Sequence, residues 1–113
     1  MKLEIKENMY YRTRGGAIGK IVSLEDLNER EYRLNGFYIN KNSIKNASYD
    51  IIDILEIDDY VNGSPICLIK TDEKDRTWVY TDSNYKCGYL KNDIESIVTK
   101  ESYSNVEYKV EGK

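Results

Sequence analysis

The chain has 113 residues, of which 40% are hydrophobic and 33% charged, with a formal net charge of −3. That length suits one domain, 1–113, with its own core. The net acidity disfavours nonspecific nucleic-acid binding, and no apolar run approaches the roughly 20 residues of a membrane span. Histidine is absent, which removes the commonest general base and the commonest zinc ligand. Cys67 and Cys87 lie outside any CxxC spacing, so they read as buried or partly buried thiols, and no metal or cofactor is expected. The opening MKLEIKENMYY carries acidic residues where a signal peptide has an apolar segment, which predicts a cytoplasmic protein.

Taken in order, Tyr10 to Thr13 and Ala17 to Val22 read as strands joined by a turn at Arg14-Gly15-Gly16. GGAIGK lacks the full spacing of a phosphate loop. Ser23 to Arg33 is the best helix candidate, with Ser23 as cap, Glu25 and Asp26 at the positive end and Leu24 and Leu27 on one face; a single helical turn or an irregular connection is the alternative. Asn35-Gly36 predicts a hairpin between Glu31–Leu34 and Phe37–Ile39, and Asn40 to Asn46 a polar loop.

Tyr49 to Gly63 (YDIIDILEIDDYVNG) is the densest β-branched stretch. Its apolar residues fall on both faces of an extended chain, which predicts an interior strand ending in a turn at Asn62-Gly63. A strand over Ile66–Lys70 follows Ser64-Pro65, then a loop over Thr71–Asp75 and a strand over Arg76–Tyr80. Thr81 to Asn92 reads as a long loop with a short pairing segment at its end, Asp93 to Lys100 as a strand, Glu101 to Ser104 as a helical turn and Val106 to Val110 as a last strand. No internal repeat is evident. The expected fold is mainly β: a small antiparallel, partly open SH3-like barrel or sandwich with at most one short helix.

Three constellations could carry function. Asp50, Asp53, Glu56, Asp58 and Asp59 form an acidic cluster without a Lys or Arg among them. It could be a solvated strand end, a partner-binding acidic surface, or a metal or acid/base site, although the ligand spacing of an EF-hand is missing. Tyr10, Tyr11, Arg12 and Arg14 lie in a segment where residues 1–20 hold five Lys/Arg against two Asp/Glu. Interleaved rings and cations of this kind stack bases and meet phosphates, or form an ordinary amphipathic hairpin. Arg76, Trp78 and Tyr80 share one strand face and are either interface anchors or core. No Ser, Thr or Cys has a base beside it in sequence, so no enzyme is expected.

DIIDILEIDDYVNG followed by DIESIVTKESY resembles a pattern in small, uncharacterised proteins encoded by phages and prophages of Gram-positive bacteria. There IIDLIEVGDYVNG precedes DIKSIVTKEQF. The match runs through Ile51, Ile52, Asp53, Glu56 and Asp59 to Gly63, then Asp93, Ile94 and Ser96 to Glu101. YYRTRGGAIGKI also resembles the start of those proteins. Asp58 departs from the pattern, which has Gly there. The resemblance implies a mobile-element origin and no known catalytic site. With the charge clustering it leads to an expectation of a non-catalytic accessory protein that binds a host protein or protein–nucleic-acid complex. An anti-defence, anti-CRISPR-type inhibitor whose acidic surface mimics phosphates is the leading form. The alternatives are a nucleic-acid-binding module built on the Tyr/Arg hairpin and a phage structural or assembly protein.

Overall fold

Asn-Gly pairs set where this chain reverses. Asn35 and Gly36 have φ of 51° and 86°, and Asn62 and Gly63 have φ of 51° and 85°. Both central residues of each turn are thus left-handed, the geometry that matches the twist of a two-residue hairpin and that Asn and Gly reach at least cost. The structure, a computed structural model, describes residues 4–102 and 107–110. These fold into two compact units, Met1–Ile54 and Leu55–Lys113.

In the first unit, β1 (Tyr10–Thr13) lies between β2 (Ile18–Lys20) and β6 (Ile44–Ser48). A second sheet has the order β3 (Leu24–Asp26), β4 (Glu31–Leu34), β5 (Phe37–Asn40). All pairings are antiparallel. Ile5, Ile21, Leu34 and Ile44 form the core, with Tyr11, Tyr32 and Ala47 packed against it. The Tyr11 ring lies over Gly19, where a Cβ would sit 2.6 Å from the tyrosine oxygen.

In the second unit one antiparallel sheet has the order β10-β9-β8-β7-β11-β12. Its strands are β7 (Tyr60–Val61), β8 (Ser64–Thr71), β9 (Thr77–Thr81), β10 (Asn84–Tyr89), β11 (Ser96–Val98) and β12 (Tyr108–Lys109). Val61, Ile66, Val79, Ile94 and Ile97 are its most buried apolar residues.

The chain is therefore mainly β and antiparallel, but its sheets stay open rather than closing into a barrel. Among the described residues the only helical elements are 3-10 turns: η1 (Lys41–Ser43), η2 (Ile51–Ile54) and η3 (Lys91–Asp93).

Four expected elements differ. The isoleucine run is not an interior strand: Ile51 to Ile54 form η2, with Ile51, Ile52 and Ile54 buried and Asp53 exposed. An apolar run suits any segment enclosed on most sides, and here local capping decides the conformation. The Ser48 hydroxyl donates to Asp53 at 2.8 Å and accepts from the Asp50 N–H at 3.2 Å, while the Asp53 N–H bonds the Asp50 carbonyl. Ser23 to Arg33 is not a helix but β3, a turn and the start of β4. The Asn28 side chain accepts from the N–H groups of Arg30 and Glu31, which offers the backbone a turn in place of a helix. The predicted loop at Thr81–Asn92 contains β10, and the one at Asn40–Asn46 holds η1 and the start of β6. At the C-terminal end the Ser102 N–H closes a turn onto the Thr99 carbonyl, and residues 103–106 lie outside the described segments.

Two asparagines do more than turn the chain. Asn62 Nδ2 donates to the Asp93 carbonyl at 3.0 Å, and its Oδ1 accepts from the N–H groups of Glu95 (2.8 Å) and Ser96 (3.2 Å). Asn35 makes the same three bonds to Lys20, Val22 and Ser23. Replacing Asn62 by glycine keeps the left-handed φ and deletes the side-chain bonds. Asn62→Gly is expected to lower unfolding free energy by about 1–3 kcal/mol in urea titration. A loss within experimental error would show the clamp to be dispensable. Asp58 has φ of 76°, so the turn before Tyr60 is left-handed at a residue other than glycine. Asp58→Gly is expected to raise stability, by up to about 1 kcal/mol, and a lower stability would contradict strain at this residue.

Candidate functional site

The five acidic residues have separate structural roles. Asp59 is fully buried. Its Oδ2 accepts from the Glu56 N–H at 2.7 Å and its Oδ1 from the Lys100 N–H at 3.0 Å, so this carboxylate ties the start of β7 to the end of β11. Asp59 therefore leaves the proposed acidic surface. Glu56 is ion-paired at 2.9 Å with Lys100, and this hydrogen bond is the main reason the Lys100 ammonium is held above its ordinary pKa. Asp53 is engaged by Ser48, and Asp50 is partly buried in the turn that opens η2. Asp58 is exposed. Asp50 and Asp53 belong to the first unit and Glu56, Asp58 and Asp59 to the second. Among the described residues no three His, Cys, Asp or Glu side chains gather as a metal site.

The Tyr/Arg hairpin is also divided. Arg12 is fully buried and donates Nη1 to the Ile54 carbonyl at 3.0 Å. Charge in the sequence pointed to a phosphate contact, but burial makes this guanidinium a brace between β1 and η2. Tyr11 faces the core, and burial raises its phenol above the ordinary pKa. Tyr10 and Arg14 are left nearer the surface. Lys20 lies 5.7 Å from the Tyr10 ring centre, and Arg14 Nε donates to the Asn42 carbonyl at 2.8 Å. Cys67 and Cys87, expected to be at least partly buried, are both exposed.

Arg76 and Trp78 belong to a local cluster centred on a residue that the sequence reading missed. Asp72 Oδ1 accepts from the N–H groups of Lys74 (2.9 Å) and Arg76 (3.0 Å). Its Oδ2 accepts from Arg76 Nε and the Trp78 indole N–H, both at 2.9 Å. Arg76 stacks 5.5 Å from the Trp78 ring. Tyr80, further along β9, lies against Gly88. The visible signal for Asp72 is its place at the start of the five-residue turn between β8 and β9, where its side chain bonds the backbone two and four residues on.

A surface outside all three constellations stands out by exposure. Phe37 is 77% and Tyr38 66% exposed on β5, and Val22 is 75% exposed. Arg33, opposite Tyr38 across the β4–β5 ladder, donates Nη2 to its hydroxyl at 2.7 Å and lies 5.0 Å from the ring centre. Among the described residues β5 pairs with β4 alone, so its outer edge has no strand partner. In the same unit, a cleft lined by Arg14, Tyr32, Lys41 and Lys45 is less suited to an anion, because Asp26 binds Lys41 at 2.7 Å.

The Asp72 cluster makes a pH prediction. Hydrogen bonds, first from the Trp78 indole and then from the Arg76 N–H, hold its carboxyl well below the ordinary value of 3.8. A depressed folded pKa means that the stabilisation is complete above the unfolded value and is lost as pH falls through the folded one. Emission of Trp78, the single tryptophan, is therefore expected to stay constant down to pH 3.8 and to change only below it. A midpoint at or above 3.8, or an unaltered acid transition in Asp72→Asn, would refute the assignment.

Compared with known proteins, the chain matches no family model, no curated protein and no solved structure.

Proposed function

We propose that this chain is a non-catalytic binding protein that docks on a host macromolecule through the β4–β5 face of its first unit. The observation that carries the reading is the exposure of Phe37 and Tyr38 beside Arg33, on a sheet edge without a strand partner among the described residues. Aromatic and arginine side chains dominate interface anchors, and a large exposed ring in water gains free energy when a partner covers it. Arg33 already stacked on Tyr38 reduces the ordering cost of binding.

The resemblance to phage and prophage proteins supports a host target, with an anti-defence inhibitor as the specific form. Phosphate mimicry by the acidic cluster is the weaker mechanism for that role, because Asp59 is internal and Glu56 is paired with Lys100. Nucleic-acid binding through the hairpin is weakened in the same way by the buried Arg12.

Capture from host lysate by the wild type and two double variants separates these mechanisms. Phe37→Ala/Tyr38→Ala is expected to weaken capture by about 30-fold or more, the loss of about 2 kcal/mol typical of a truncated anchor. Asp53→Asn/Asp58→Asn is expected to retain it. The reverse pattern would favour the acidic mechanism. A shift of labelled DNA or RNA at low salt, lost in Tyr10→Ala/Arg14→Ala, would favour the nucleic-acid alternative.

A further inference from the structure

We infer that the chain is a tandem duplication: two copies of one β module, each its own cooperative folding unit, with equivalent residues mostly 50 positions apart. The sequence reading found no repeat, but the hydrogen bonds of the two units reveal one.

The correspondence begins before the first strand of each unit. The Met9 N–H bonds the Lys6 carbonyl, and 50 positions later the Asp59 N–H bonds the Glu56 carbonyl. Between them Asn8 has φ of 74° and Asp58 φ of 76°. Asn8 N–H donates to Ile21 and Ile21 N–H to Met9, at 2.8 Å each; Asp58 N–H donates to Ile66 and Ile66 N–H to Asp59, at 3.1 and 2.7 Å. Ile21 and Ile66, 0% and 1% exposed, are thus equivalent, the second at a smaller offset because its hairpin turn is shorter. Ile5 and Leu55, both buried, precede the two turns at the same position.

Strand registers agree as well. Tyr10 pairs with Ser48 and Tyr11 with Ala47; Tyr60 pairs with Val98 and Val61 with Ile97. Each closing strand is preceded by a 3-10 turn, KNS at Lys41–Ser43 and KND at Lys91–Asp93. Each turn is followed by a buried isoleucine, Ile44 or Ile94, whose N–H returns to the carbonyl of Lys41 or Lys91. A left-handed non-glycine residue, a pair of ladder contacts and a 3-10 turn closed by the following isoleucine N–H, recurring at one offset, are not a consequence of β structure in general, because strand length, turn type and register vary independently.

The side chains have diverged where the backbone has not. Met9 in the first copy corresponds to the buried carboxylate Asp59 in the second, and Arg12 to Asn62. Counted from the 3-10 turns, the exposed Phe37 and Tyr38 correspond to Cys87 and Gly88. The Phe37–Tyr38 pair is thus particular to the first copy; the corresponding edge strand β10 carries a different exposed ring, Tyr85, at 63%.

The test uses the full chain and site-resolved amide exchange. Ile21→Ala is expected to speed exchange in 4–54 by about 30-fold or more and leave 55–110 unchanged; Ile66→Ala is expected to do the opposite. A loss of protection spread evenly over both segments from either variant would overturn the inference. If an alanine variant fails to fold, Ile21→Val and Ile66→Val give the same contrast on a smaller scale. Equivalence of the two left-handed positions is read from melting. The exchange Asn8→Asp/Asp58→Asn is expected to leave both segments unaltered, whereas Asn8→Ala and Asp58→Ala each destabilise their own segment. A cost at one position and none at the other would contradict the duplication.

Discussion

Strands of mostly two to five residues, with only β8 and β10 longer among those described, leave many backbone groups without a ladder partner, and side-chain amides supply what is missing. Asn35 and Asn62 each occupy the left-handed corner of a hairpin while binding three backbone groups of a segment distant in sequence. Each bond contributes about 0.5–1.5 kcal/mol, but an unbonded buried amide would cost more. No buried side-chain nitrogen or oxygen among the described residues is left without a partner. The same constraint accounts for the buried charges. Arg12 and Asp59 serve as connectors to main chain, Arg12 through the Ile54 carbonyl and Asp59 through two N–H groups, the role in which an internal charge is tolerated.

The division of roles that follows is useful for function. Most charged and aromatic side chains that looked like contact residues are consumed by architecture: Arg12 inside the first unit, Asp59 inside the second, and Trp78 on Asp72. In the proposed function the aromatic edge of β5 serves recognition, where Phe37 meets solvent and Tyr38 is preorganised by Arg33. The duplication adds to this distinction. A backbone kept in both copies marks what the fold requires, whereas a side chain present in one copy is free to serve binding.

Turn chemistry was legible in the sequence because it is local. The Asn35-Gly36 and Asn62-Gly63 hairpins and the Gly15-Gly16 reversal all occur where the residues demand them. The mainly β class was legible for the same reason. The isoleucine run was misread because periodicity reports enclosure, not conformation; the deciding residues were Ser48 and Asp53 at its margins. Arg12 and Asp59 were misread because a charge in a sequence carries no sign of whether it faces water. The repeat was hidden because the conserved features are positive φ values and hydrogen-bond registers, which Asn and Asp, or Tyr and Val, satisfy alike. The β5 edge was visible only as a Tyr and Phe after a turn, and its exposure depends on the whole sheet.

The ring of Tyr11 over Gly19 bears on how freely the first unit can evolve. A one-residue slip of β1 against β2 would bring Ile18 or Lys20 beneath that ring, where there is no room for even a methyl group. The pairing is therefore locked by a steric key independent of the connecting loop. Within that loop Arg14, Gly16 and Ala17 are held by hydrogen bonds, whereas Gly15 has room around it, so this tip can vary at position 15 while the strands it joins keep their register.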